Sequence, residues 1–96
     1  MRTIYLVTYD VSDPKRLRRT FRTMRRYGDH LQLSVFRCAL NEREKIRMIS
    51  QLKEIINSQE DQIIIAELGP ETGRGQHTIE TIGLSYMHPE RHAVVI

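Results

Sequence analysis

The run from Thr3 to Asp10 (TIYLVTYD) constrains the fold more than any other stretch. It is short, β-branched and aromatic, and it ends abruptly in a carboxylate. Ile4 and Leu6 fall on one parity, Tyr5, Val7 and Tyr9 on the other. A strand apolar on both parities needs cover on both faces. A helix start follows at once: Asp13 can cap the free N–H groups, and Pro14 suits the first helical position. Asp10 is therefore expected at a strand end, where the backbone is rigid and sites tend to be built. Since Asp13 serves the cap, Asp10 is not needed for that job. A local turn-forming role is the plainer alternative for it.

The helix is expected to run to Tyr27, with Gly28 as its stop signal and Leu17, Phe21 and Met24 as its core stripe. Its other faces carry Lys15, Arg16, Arg18, Arg19, Arg22, Arg25 and Arg26, seven of the chain's 15 basic residues, with no acid among them. Basic residues in a first turn oppose the helix dipole, and like charges four apart repel. Solvated faces normally mix signs, so this one reads as a phosphate-binding ridge.

Leu31 to Leu40 reads as strand, again apolar on both parities, with a bend or tight turn near Ser34 as an open alternative. Asn41 and Glu44 open a second helix in capping-box spacing, with Ile46, Ile49, Leu52 and Ile56 as its buried face. Gln62 to Leu68 is a third strand, broken by Gly69-Pro70. Thr72 to Gln76 reads as a mobile loop, His77 to Ile82 as a weak strand, and Ala93 to Ile96 as a short apolar terminal segment.

Two helices in 96 residues can cover only one face of a sheet. The expected fold is thus α+β, a ferredoxin-like βαββαβ sandwich with extra C-terminal strands. Residues 1–96 form a single domain, with a core over about 1–68 and the loop and C-terminal strands over about 69–96. An exposed apolar sheet face marks an interface, so a homodimer packed sheet against sheet is expected. The C-terminal segment could cross to the partner's sheet.

Other chemistry is thin. Cys38 is the lone cysteine and reads as a reduced core thiol. The first apolar run is too short for a membrane span and wrong for a signal peptide, so a cytoplasmic protein with no membrane partner is expected. No serine, histidine and acid fall in a triad pattern. His88 and His92 have helical metal-ligand spacing, but Pro89 disfavours helix there. Gly73-Arg74-Gly75 is a weak phosphate-loop signal, and a flexible turn explains it as well. One Asp10 is a poor metal site. Two, brought together across a dimer axis, could share Mg²⁺ or Mn²⁺, ions that accept one or two carboxylates and keep several waters.

Tyr5 to Asp13, the Lys15-Arg16-Leu17-Arg18-Arg19 run, Tyr27-Gly28 and Gln32-Leu33-Ser34-Val35-Phe36 together resemble the CRISPR-associated protein 2 (endoribonuclease) family. The similarity in order and spacing covers residues 3 to 68. It implies a ferredoxin-like homodimer and metal-dependent nuclease action on RNA or double-stranded DNA. It also implies a place in CRISPR adaptation (spacer acquisition), with the dimer held between copies of the integrase. The metal-ligand and catalytic role carries over to Asp10. Tyr9, Arg16, Arg18, Arg19, Ser34 and Phe36 occupy motif positions near the site. Lys15 and Arg22 extend the basic ridge. Arg37 departs from the family, standing where many relatives carry an acid. Three functions follow as expectations: a metal-dependent endonuclease dimer, a non-catalytic DNA-binding scaffold bridging integrase subunits, and a toxin-like ribonuclease.

Overall fold

A computed structural model describes residues 1–76 and 78–84. Its elements run β1 (Thr3–Asp10), α1 (Pro14–Tyr27), β2 (Asp29–Gln32), β3 (Val35–Leu40), α2 (Glu42–Ile55), β4 (Gln62–Pro70) and a short 3-10 turn (Arg74–Gln76). The strand order is β2-β3-β1-β4 and every pairing is antiparallel. With both helices on one face, this is the expected ferredoxin-like arrangement.

Parity decides which side chains are enclosed. Tyr5, Val7 and Tyr9 of β1 join Phe36, Cys38 and Leu40 of β3, Met24 of α1, and Met48 and Leu52 of α2 in one core cluster. The opposite parity, including Leu6, Thr8, Val35 and Ile64, faces away from the helices. Ile64 is 52% exposed there, so the sheet keeps an open apolar face. Arg37 lies on this face and its guanidinium reaches its cross-strand neighbour Asp29 at 3.8 Å.

The helix ends follow their local chemistry. The Asp13 carboxylate accepts from the Arg16 N–H at 2.9 Å, and Pro14 is the first residue of α1. At α2 the Glu44 N–H donates to Asn41 Oδ1 at 2.8 Å, and the Asn41 N–H donates to Glu44 Oε1 at 2.9 Å. Gly28 does stop α1, but with extended backbone. Glycine is needed there for space: a Cβ would collide with the Arg37 carbonyl and the Cys38 sulfur of β3.

Four expectations need correction. In α1 the enclosed residues are Thr20, Thr23 and Met24, with Phe21 partly buried and Leu17 at 39% exposure. The helix is rotated because two threonines pack inward, Thr20 satisfying its hydroxyl by donating to the Arg16 carbonyl at 2.8 Å. In α2, Met48 replaces Ile46 on the buried face, and Ile46 is 62% exposed. β4 is not broken at Gly69-Pro70. It runs through a bulge in which Tyr5 opposes Glu67 and Ile4 opposes Gly69, whose φ of 125° only glycine adopts easily. Finally, the weak strand expected from His77 to Ile82 does not form over the described residues 78–82, and before it Gly75 is buried so closely that a Cβ would stand 2.9 Å from Ile4 Cγ1.

The alternative of a turn near Ser34 is the one adopted: Leu33-Ser34 links β2 to β3. Residues 78–84 form no strand. His77, His88, His92 and the segment Ala93 to Ile96 lie outside the described residues.

Candidate active site at the end of the first strand

β1 pairs with β3 only as far as Thr8, opposite Val35, while its pairing with β4 continues to Asp10, opposite Gln62. The last bond on the β3 side is the Tyr9 N–H donating to the Ser34 carbonyl at 3.1 Å. Asp10 therefore emerges where one ladder has ended and the other still holds the backbone. By alternation it projects to the open face of the sheet, and it is exposed. Among the described residues no hydrogen bond or ion pair engages its carboxylate.

Tyr9 points the other way and is 6% exposed, stacked on Phe36 with ring centroids 6.2 Å apart. Burial pushes its phenol up to about 12. Phe36 is fully enclosed, contacted also by Phe21 and His30. Beside Tyr9 a groove of about 550 Å³ opens between α1 and the β2–β3 turn, lined by Leu17, Arg18, Phe21, Leu33 and Ser34. Leu33, at the turn, is 90% exposed.

The basic helix divides on inspection. Arg16 is the most engaged of its cations. Its Nε donates to Asp61 Oδ2 at 2.8 Å, and Nη2 donates to Asp61 Oδ1 at 3.2 Å and Glu60 Oε1 at 3.0 Å. Asp61 also accepts from the Ser12 N–H at 3.2 Å and the Asn57 N–H at 2.9 Å. The Arg16 guanidinium, then the two backbone donors, hold the Asp61 carboxyl down at about 2. The same contact raises Arg16 further above its ordinary value. One carboxylate thus ties the loop behind Asp10, the start of α1 and the end of α2. Lys15, Arg18, Arg19 and Arg22 are exposed and form no ion pair among the described residues. Arg25 lies over the Phe21 ring at 5.8 Å.

Asp61 was not singled out by sequence reasoning. Only its place, just before β4 and after a polar Ser-Gln-Glu run, hinted at a loop anchor. Among the described residues no three His, Cys, Asp or Glu side chains cluster for a metal. No helix among them is long and apolar enough to cross a membrane.

Comparison with known proteins agrees with this architecture. The family described as CRISPR associated protein Cas2 matches residues 1–74. The CRISPR-associated endoribonuclease Cas2 of Geobacter sulfurreducens is 38% identical over 96 residues, covering 100% of both chains. A second relative, CRISPR-associated endoribonuclease Cas2 1 of Rhodospirillum rubrum, is 39% identical over 92 residues, covering 96% of this chain and 89% of its own. The crystal structure of Streptococcus pyogenes Cas2 superposes with a TM-score of 0.73 at 35% identity, over 83% of this chain and 99% of that one.

Proposed function

The chain belongs to the CRISPR-associated protein Cas2 family, and from that footing we propose a metal-dependent endonuclease-type homodimer of CRISPR adaptation. The observation that carries this reading is Asp10: an exposed carboxylate at a rigid strand end, with no hydrogen-bond or ion-pair partner among the described residues, just ahead of a helix whose exposed cations are likewise unpaired there. Its substrate is RNA or double-stranded DNA. The relatives' names as endoribonucleases support the RNA arm.

A lone carboxylate with no neutralising partner fits a hard divalent ion that keeps most of its waters. Asp10 of each protomer would hold the shared Mg²⁺ or Mn²⁺, which supplies a Lewis acid for the phosphodiester and acidifies a bound water. Lys15, Arg18, Arg19 and Arg22 of α1 would neutralise phosphates further along the bound nucleic acid. Arg16, bound to Asp61, acts as a positioning residue that fixes the loop following Asp10. Ser34 closes the β3 side of the strand end by accepting the Tyr9 N–H, and Tyr9 and Phe36, packed in the core on the opposite face, keep that strand end rigid. The open sheet face, with Ile64 half exposed, supports dimerisation through the sheet. The integrase of the adaptation machinery would be the dimer's protein partner.

The test compares wild type with Asp10→Ala on duplex DNA and on single-stranded RNA, with and without Mg²⁺ or Mn²⁺, reading binding and cleavage together. We expect cleavage to fall by about 10²–10⁴, the scale of removing a group that prepares the attacking water, while binding survives. No divalent-ion-dependent cleavage by either protein would overturn the enzymatic part. It would leave the second reading, a non-catalytic scaffold dimer that spans DNA between integrase subunits. That reading is favoured by the single carboxylate each chain brings to the site.

A further inference from the structure

The groove beside Tyr9 has features that the cations of α1 do not explain. Its volume of about 550 Å³ is in the range of small-ligand sites. Its walls are apolar and come from two elements, Leu17 and Phe21 from α1 and Leu33 from the β2–β3 turn. Leu17 and Leu33 are both exposed. The turn is nevertheless tied down. Its Leu33 carbonyl lies 3.1 Å from His30 Nε2, and its Ser34 carbonyl accepts the Tyr9 N–H at 3.1 Å. The groove is therefore preformed, with a fixed apolar side chain on the turn.

Three polar groups meet these apolar walls. Tyr9 and Ser34 line the groove, and neither hydroxyl has a hydrogen-bond partner among the described residues. Tyr9 is nearly buried, yet its phenol oxygen is not a buried unpaired atom, so the little surface it keeps includes the hydroxyl. Arg18 also lines the groove, exposed and without an ion pair among the described residues. No described carboxylate lines it.

This combination selects among occupants. An apolar protein side chain would cover Leu17 and Leu33 but leave two hydroxyls and a cation unanswered. A phosphate alone would satisfy Arg18 and leave the apolar walls bare. A nucleotide meets all three demands: its base is a flat stacking body edged with hydrogen-bonding groups, and its phosphate is the anion that Arg18 lacks.

We propose that the groove is a nucleobase pocket. One unstacked base lies between Leu33 and the Leu17–Phe21 wall, its edge on the Tyr9 and Ser34 hydroxyls and its phosphate on Arg18. A base paired and stacked in a duplex cannot enter, so the pocket selects single-stranded nucleic acid. The inference deepens the proposed function and rests on it for the class of ligand. It does not use the chemistry at Asp10.

The test measures binding by fluorescence anisotropy with a chelator present, so that no strand is cut. Two labelled strands of equal length are compared: oligouridylate, and the same sugar–phosphate chain lacking its bases. Wild type should bind the strand with bases about tenfold more tightly, the scale of one stacked base. Leu33→Ala and Leu17→Ala, on opposite walls, should each reduce that preference several-fold and leave the abasic strand unaffected. Arg18→Gln should weaken both strands alike. Ile46→Ala, an exposed apolar residue of α2 outside the groove, should change neither. Equal binding of the two strands by wild type overturns the pocket, as does a loss in the wall variants that is shared by both strands or absent from both. A base preference kept in both wall variants, with self-association lost in sedimentation, would make the groove a contact between protein copies and overturn the pocket as well. Failure to bind either strand would strike the nucleic-acid reading of the strand end itself, whereas failure of cleavage at Asp10 would touch none of these readouts.

Discussion

The two helices have the same length and flank the same core, yet they are stabilised by different means. α2 satisfies its own ends: a reciprocal capping box, Glu42 and Glu44 in the first turn, and Lys53 in the last. These choices all oppose the macrodipole correctly. α1 has no acid in its first turn and places cations four apart along its exposed side. It keeps a local cap at Asp13 and two arginines in its last turn, but its start is also held from outside, by Asp61 gripping Arg16. A helix whose exposed side sets cations four apart, with no acid among them, and whose start takes a second anchor from a distant loop, has a surface set by something other than folding. That contrast is the physical argument for α1 as the binding element and α2 as support.

The largest expected effect lies on the supporting side. Met48 of α2 is fully enclosed, and Met48→Ala should cost about 2–5 kcal/mol by denaturant unfolding. Leu17→Ala in α1, at 39% exposure, should cost less than about 1 kcal/mol. Equal losses would break the assignment of α2 as the core-forming helix.

Asp61→Asn probes the outside anchor. The Asp61 carboxyl lies at about 2 when folded and near its ordinary value of about 3.9 when unfolded. A depressed acid stabilises the fold above its unfolded value, and that contribution fades as pH falls through its folded one. Wild type should therefore outlast Asp61→Asn in thermal melts at neutral pH, with the gap closing between about pH 4 and pH 2. A gap independent of pH would mean that packing, and not the ion pair with Arg16, holds α1 down. At the alkaline limit the sign reverses. Tyr9 and Cys38 are each pushed up to about 12 by burial, so stability conferred by keeping them neutral is lost as pH rises toward that value.

Asn41→Ala removes the local cap of α2 and should cost about 1 kcal/mol in the same unfolding assay.

Much of this architecture could be read from residues. Asp13-Pro14 and Asn41-Glu44 marked both helix starts because caps are local chemistry, independent of what packs above. Two-sided apolar strands announced an open face for the same reason: parity is a property of the chain alone. What failed was rotation. Leu17 and Ile46 matched helical periodicity but lie exposed, since Thr20, Thr23 and Met48 fill the core better in this geometry, and periodicity does not distinguish faces only 100° apart. Asp61 was invisible because its partners, Arg16, Ser12 and Asn57, are brought together only by the fold. Asp10 stood out from the abrupt end of an apolar run, and the structure adds its exposure and its lack of a partner among the described residues.

The smallest expected effect gives the sharpest test of the contrast. Arg22 is exposed and sits four residues from both Arg18 and Arg26. Arg22→Gln relieves two like-charge contacts without touching the core, so α1 should become more stable by a few tenths of a kcal/mol, roughly 0.2–0.5 per contact at most. Arg43→Gln near the start of α2 relieves only one such contact, with Arg47, so its gain should be about half as large. If α1 is the binding element, the same Arg22→Gln protein should bind duplex more weakly, with the slope of log affinity against log salt reduced by about 0.9 for one lost phosphate contact. A gain in stability together with a shallower salt slope would show a helix that gives up folding energy for its ligand. A gain in stability with the slope unchanged would put Arg22 outside the nucleic-acid contact and confine binding to the Lys15–Arg18 end of the helix.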